Sequence, residues 1–137
     1  MCNTFVEVIK TIRIIREIKF RGKDLIHNEW IFGGIAIDKH NSVVILPKED
    51  WSKGGCVDES TIGQFTGIKD KNGIPIYEGD IIRSFRSYKK YVVKWSNYGA
   101  RMECICIVND AHLPFECVEE IEIIGNIYDN PELLEYS

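Results

Sequence analysis

Cys104, Cys106, His112 and Cys117 are the residue types that hold zinc, because thiolates and imidazole suit a tetrahedral site. A Cys-x-Cys pair on a strand also turns both sulfurs to one side, as ligands would need. The paired two-residue spacings of zinc sites are missing, however, and free cysteine is among the most buried residue types. Core packing is therefore expected, and no metal is assigned. Glu78 and Asp80 could serve as acid and base, but the sequence places no histidine or second carboxylate cluster with them. Glu78-Gly79-Asp80 reads instead as a turn in which the Asp80 carboxylate bonds nearby backbone amides. Gly33-Gly34 lacks the Lys-Ser/Thr and helix start of a phosphate loop and reads as a bulge or a close backbone approach within a strand. These readings lead to a non-enzymatic protein with no catalytic residues and no cofactor.

The segment from Ile81 to Met102 contains no acid and carries Arg83, Arg86, Lys89, Lys90, Lys94 and Arg101, interleaved with Phe85, Tyr88, Tyr91, Trp95 and Tyr98. Cations for phosphates and aromatic faces for bases are what single-stranded nucleic-acid sites combine. Against this, Tyr91, Val93 and Trp95 fall on one strand face and look like core, and the basic residues cluster about a hairpin end near Ser87. Trp51 lies in a polar loop, where a ring more often folds back onto the core, although tryptophan is also enriched among interface anchors. The candidate interaction surface is accordingly Arg83, Arg86, Tyr88, Lys89, Lys90, Lys94, Tyr98 and Arg101, with Trp51.

The elements that must position these residues are mostly strands. Phe5, Val8, Ile9, Ile12 and Ile15 recur at helical spacing and predict a short amphipathic arm over residues 1–15, packed on its own domain or on a neighbouring subunit. Arg16 to Arg21 alternates, predicting a half-buried strand with Ile18 and Phe20 inward and Glu17, Lys19 and Arg21 outward. Strands follow at 29–37, 43–46 and 61–66. Between the last two, Lys48 to Ser60 reads as a surface loop and hinge between lobes. Asn72-Gly73 predicts a type I′ hairpin turn between Phe65–Ile68 and Ile74–Tyr77. Strands at 81–85, 91–95, 101–108 and 116–127 complete the set, and Asn130-Pro131 starts a helix of little more than one turn.

Composition bounds the function. Hydrophobic residues at 45% and charged residues at 28% describe a globular chain. The net charge of -4 disfavours a dedicated nucleic-acid binder. Five cysteines, an odd number without a secretory leader, predict reduced thiols in the cytoplasm. No apolar run approaches the roughly 20 residues a membrane span requires.

Four stretches, REIKFRGK from Arg16, TIGQFTGIKDKNGIPIYEGDII from Thr61, YVVKW from Tyr91 and EIIGNIYDNPELLE from Glu122, resemble the YopX family of phage and prophage proteins. The resemblance implies a mainly β fold, an SH3-like barrel with a small helical element, carriage on phage or integrated elements in a bacterial host, and no established activity or site residues. It begins at about Arg16, leaving residues 1–15 as an extension. The expected organisation is that extension, an N-terminal β lobe at 16–60 and an SH3-like barrel region at 61–137 ending in a short helical turn. The expected role is a protein-interaction or assembly module, with an unidentified protein partner or a second copy of itself. The alternative is a nucleic-acid-associated module using residues 83–101.

Overall fold

The computed structural model of the chain describes residues 17–135. The arm expected over residues 1–15 lies outside them. Among the described residues, eleven strands form two antiparallel sheets. The first contains β1 (Phe20–Lys23), β2 (Trp30–Ile37), β3 (Val43–Leu46), β4 (Gly55–Cys56), β5 (Gly63–Lys69) and β6 (Pro75–Tyr77), in the order β4-β3-β2-β1-β5-β6. The second contains β7 (Asp80–Ser84), β8 (Lys90–Ser96), β9 (Arg101–Cys106), β10 (His112–Leu113) and β11 (Ile121–Asn126), in the order β10-β9-β8-β7-β11. The protein is thus mainly β, and among the described residues helical content is confined to short 3₁₀ turns.

Neither sheet closes on itself, so two open sheets stand where the resemblance implies an SH3-like barrel. β5 and β6, placed by the sequence with the second region, hydrogen-bond into the first sheet, Phe20 opposite Gln64 and Arg21 opposite Gly63. The polar stretch 48–60, expected as a loop, contains β4, which pairs with β3, and the 3₁₀ turns Trp51–Lys53 and Glu59–Thr61.

The core follows from the two-residue side-chain period. Tyr91 and Val93 on β8, Cys104 and Cys106 on β9 and Ile82 on β7 point to one face, where they meet Ile76 of β6 and Val118. Ile76 therefore carries the first sheet into the core of the second. Trp95, expected with Tyr91 and Val93, lies past the end of this packing and is 44% exposed. Cys104 and Cys106 do share a side, and it is the core side. Burial pushes the Cys104 thiol up to about 12, which keeps it protonated. His112 and Cys117 are exposed, and no cluster of three metal-binding side chains occurs among the described residues.

Two local expectations are corrected. The strand predicted from Arg16 to Arg21 begins at Phe20 and continues through Gly22-Lys23, with the opposite facing: Ile18 is exposed while Arg21 and Lys23 are buried. The Asn72-Gly73 turn is not type I′, since only Gly73 has a positive φ, of 80°. The Gly73 amide donates to Asp70 O at 2.9 Å and the Asp70 amide to Ile74 O at 2.8 Å, closing a longer loop. The Asp70 carboxylate explains that choice. Its Oδ1 accepts from Asn72 N and Ile74 N, both at 2.9 Å, and its Oδ2 accepts from Ile123 N on β11 at 3.1 Å.

At the C-terminus, Pro131 opens the 3₁₀ turn Pro131–Leu134 as expected. Asn130 does not cap it through its side chain; Oδ1 accepts instead from Asn126 N at 3.2 Å.

Candidate protein-interaction site

The register of β1 on β2 sets Arg21 opposite Phe32 and Lys23 opposite Trp30, so all four side chains share one face of the first sheet. That face carries two cations toward the second sheet, and each meets a carboxylate there. Arg21 Nη1 lies 2.8 Å from Asp80 Oδ1, with both side chains almost fully buried. Asp80 Oδ2 accepts from Tyr77 N at 2.7 Å, and Arg21 Nη2 donates to Glu78 O at 3.4 Å. The Trp30 and Tyr77 rings flank the guanidinium, their centroids 4.5 and 5.1 Å from its carbon. Arg21 Nε is buried without a partner. Burial pushes the Asp80 carboxyl up, and Arg21 and the Tyr77 amide pull it back only in part.

Beside this pair, Lys23 Nζ forms an ion pair with Asp129 Oδ1. Asp129 Oδ2 also accepts from Trp30 Nε1 at 2.8 Å and Asn126 Nδ2 at 3.1 Å. The Lys23 contact, helped by Trp30 and Asn126, holds the Asp129 carboxyl down at about 2. Gly79 completes the junction. Its amide donates to Val93 O at 2.8 Å and its carbonyl accepts from Ile127 N at 3.0 Å. Its φ of 94°, with the Tyr128 ring 3.0 Å from where a Cβ would sit, admits no side chain.

These charges are engaged with one another, and the junction clamps the sheets together. Asp80 lines a depression that Glu78 does not, which agrees with the reading of Glu78-Gly79-Asp80 as a turn in preference to an acid–base pair.

The surface beside the clamp is open and apolar. Three depressions, of about 710, 530 and 470 Å³, all include Phe32 in their walls. The first runs past Leu25, Ile26 and Pro47, the second past Ile18, Ile35 and Trp51, and the third past Trp30, Pro75 and Tyr77. Phe32 is 47% exposed, and Tyr77 supports its ring edge-on at 5.4 Å and 62°. Tyr77 in turn packs on Phe65 at 5.6 Å. Aromatic side chains already fixed from behind bind with little loss of rotamer freedom, which is the character of interface anchors. Trp51 is 71% exposed, so it is displayed at this surface and not folded back onto the core.

Residues 19–135 match the family model described as YopX protein. The chain belongs to the YopX family. The match includes every member of the clamp, Arg21, Lys23, Asp80, Asn126 and Asp129. Those residues come from three of the stretches that carry the resemblance, KFRGK, YEGDII and GNIYDN, and the fold brings them to one place. The crystal structure of protein EF1440 from Enterococcus faecalis is similar in fold, with a TM-score of 0.59 and 24% identity over 88% of this chain and 100% of that one. No curated protein matches the chain.

The fold does not gather the basic residues named from sequence into one patch. Arg86, Tyr88 and Lys89 lie in the β7–β8 connection and Tyr98 in the β8–β9 connection. The seven residues of β8 separate these ends by about 20 Å. Acids and a carbonyl meet several of the cations. Arg86 Nη1 pairs with Glu119 Oε2 at 2.7 Å, Arg101 Nη2 lies 3.8 Å from Glu103 Oε2, and Lys90 Nζ donates to Leu133 O at 3.0 Å. Lys94 sits opposite Glu103 and Arg83 opposite Glu122 in the strand registers. Trp51 belongs to the other sheet's surface. Sequence reasoning missed the half-exposed Phe32 and Trp30, and the buried Tyr77 behind Phe32, because each lies in a strand that reads as core; the signal available was the aromatic content of the resembling stretches and their neighbours.

Proposed function

We propose that this YopX family member is a non-enzymatic protein-docking module, carried by a phage or prophage and working in the bacterial cytoplasm, with Phe32 as its central anchor. The observation that carries the proposal is the meeting of three depressions at one half-exposed ring held from behind by Tyr77. Leu25, Ile26, Ile35 and Trp51 extend an apolar surface around that ring, larger in character than the scattered exposed residues of an ordinary surface. The clamp behind it fixes the relation of the two sheets, so the walls are set before a partner arrives. Division of the basic residues and their pairing with acids weigh against the nucleic-acid alternative.

The test is affinity capture from host cells carrying the phage or prophage, comparing wild type, Phe32→Asp and Arg86→Glu/Lys89→Glu. A specific protein retained by wild type and the basic-loop variant, and lost with Phe32→Asp, is the expected result. Loss with the basic-loop variant alone, or capture abolished by nuclease, contradicts it.

A further inference from the structure

We infer that the depression between the two sheets takes a carboxylate, an Asp or Glu side chain that the docked partner presents beside its apolar anchor; the inference deepens the docking surface proposed above and rests on it. The depression is the one of about 470 Å³ whose walls combine Trp30, Phe32, Pro75 and Tyr77 with Lys19 and Arg21. Because Phe32 also borders the two neighbouring depressions, a protein seated on that ring covers this one as well.

One cation there is only loosely answered. Asp80 meets Arg21 and Asp129 meets Lys23 in close ion pairs. Among the described residues, Lys19 has only Glu17, a carboxylate 3.6 Å away and 67% exposed. So loose and exposed a pair is worth little and exchanges readily for a better one. Stacking on Phe65, 4.7 Å from the ring centroid, holds the Lys19 ammonium in place for another anion. The neighbouring polar groups are donors too. Arg21 Nε has no partner and Nη2 reaches Glu78 O only at 3.4 Å, so the guanidinium charge is only partly spent on the fold. Burial pushes the Tyr77 hydroxyl up to about 12, against the opposing pull of Arg21, so it stays a donor. A purely apolar cover would seal such donors from water with nothing to accept from them, which is costly. A carboxylate brings both the acceptors and the negative charge that Glu17 supplies loosely, and among protein side chains Asp and Glu alone do both.

Two measurements on the full chain test this. In the first, benzoate and its neutral isostere benzamide are titrated into isotope-labelled protein while the Arg21 Nε–H resonance is followed. Benzoate should move that resonance and bind about tenfold more tightly than benzamide. Lys19→Gln, a change at a partly exposed side chain, should remove the preference, and Glu17→Gln, which takes away the internal competitor, should tighten benzoate by roughly twofold to fivefold. Equal binding of the two probes, or an Arg21 resonance that benzoate leaves unmoved, overturns the carboxylate site. In the second, a carbodiimide, which joins a carboxylate to an amine with no spacer, is added to the free protein and to the complex captured from host cells. Lys19 should couple to Glu17 in the free protein and to an Asp or Glu of the captured protein in the complex. If Phe32→Asp abolishes capture but Lys19 couples only to Glu17 in the complex, the carboxylate inference fails and the docking surface stands. If benzoate is preferred yet Phe32→Asp captures normally, the docking surface fails, and the partner's side chain is overturned in favour of a free carboxylic acid.

Discussion

The Arg21 guanidinium is almost excluded from water, so its burial depends on the groups the fold sets around it. Among the described residues, Asp80 is the one full counter-charge in contact with it. Asp80→Ala should therefore cost about 3–5 kcal/mol in chemical denaturation, since it strands a buried cation. The double variant Arg21→Met/Asp80→Leu should recover most of that loss, because replacing both members removes the stranded charge. Asp129 gives a pH signature. Its carboxyl is lowered from 3.8 to about 2, so its contribution is present above pH 3.8 and is lost as the pH falls toward 2. Asp129 is partly exposed, and after screening Asp129→Asn should lower stability by about 1 kcal/mol at pH 6 and by almost nothing at pH 2, measured by denaturation at each pH. Asp80, raised by burial, acts with the opposite sign above pH 3.8. None of this could be read from REIKFR alone. Its alternation indicates a strand of which only Phe20 and Arg21 fall in β1, and the inward side is chosen by Asp80 and Asp129, far along the chain; a one-residue difference in facing exchanges the buried and exposed sets.

At the scale of elements, the hairpin of β5 and β6 depends on Asp70. Its carboxylate satisfies two amides of its own loop and the Ile123 amide of the other sheet, closing part of the free side of β11. Asp70→Ala should cost about 1–2 kcal/mol, since it leaves three part-buried amide donors without their partner, and hydrogen exchange should show faster exchange at the Ile123 amide. Close packing constrains β5 as strongly. A Cβ at Gly63 would lie 2.4 Å from Glu78 O, a backbone atom, whereas one at Gly34 would meet nothing within 4 Å. Gly63→Ala should therefore lose about 2 kcal/mol or more, with Gly34→Ala near neutral on the same thermal denaturation assay. The sequence locates most strands because period-two patterns and Gly-rich turns are local. It misjudges the hairpin turn because Asn-Gly is only one of two ways to reverse the chain, and the Asp70 contact to Ile123 spans 53 positions.

Over the whole molecule, mainly β architecture follows from the strand patterns, and the family match covers nearly all the described residues. How the strands divide between sheets is not local information: β5 and β6 lie after the hinge-like stretch yet pair with β1. For the same reason the basic and aromatic segment looks continuous in sequence and is split by β8 in space. The candidate surface arises where strands distant in sequence bring Phe32, Trp30, Tyr77 and Trp51 together, and of these only Trp51 stands out in the sequence as a surface candidate. Site-specific photo-cross-linking in host cells tests the central claim most directly, with a photoreactive amino acid placed at Phe32 in one protein and at Tyr98 in another. A discrete protein adduct from position 32 and none from position 98 is the expected result. Adducts from position 98 alone, or the same adducts from both positions, would contradict the assignment of Phe32 as the anchor of the docking surface.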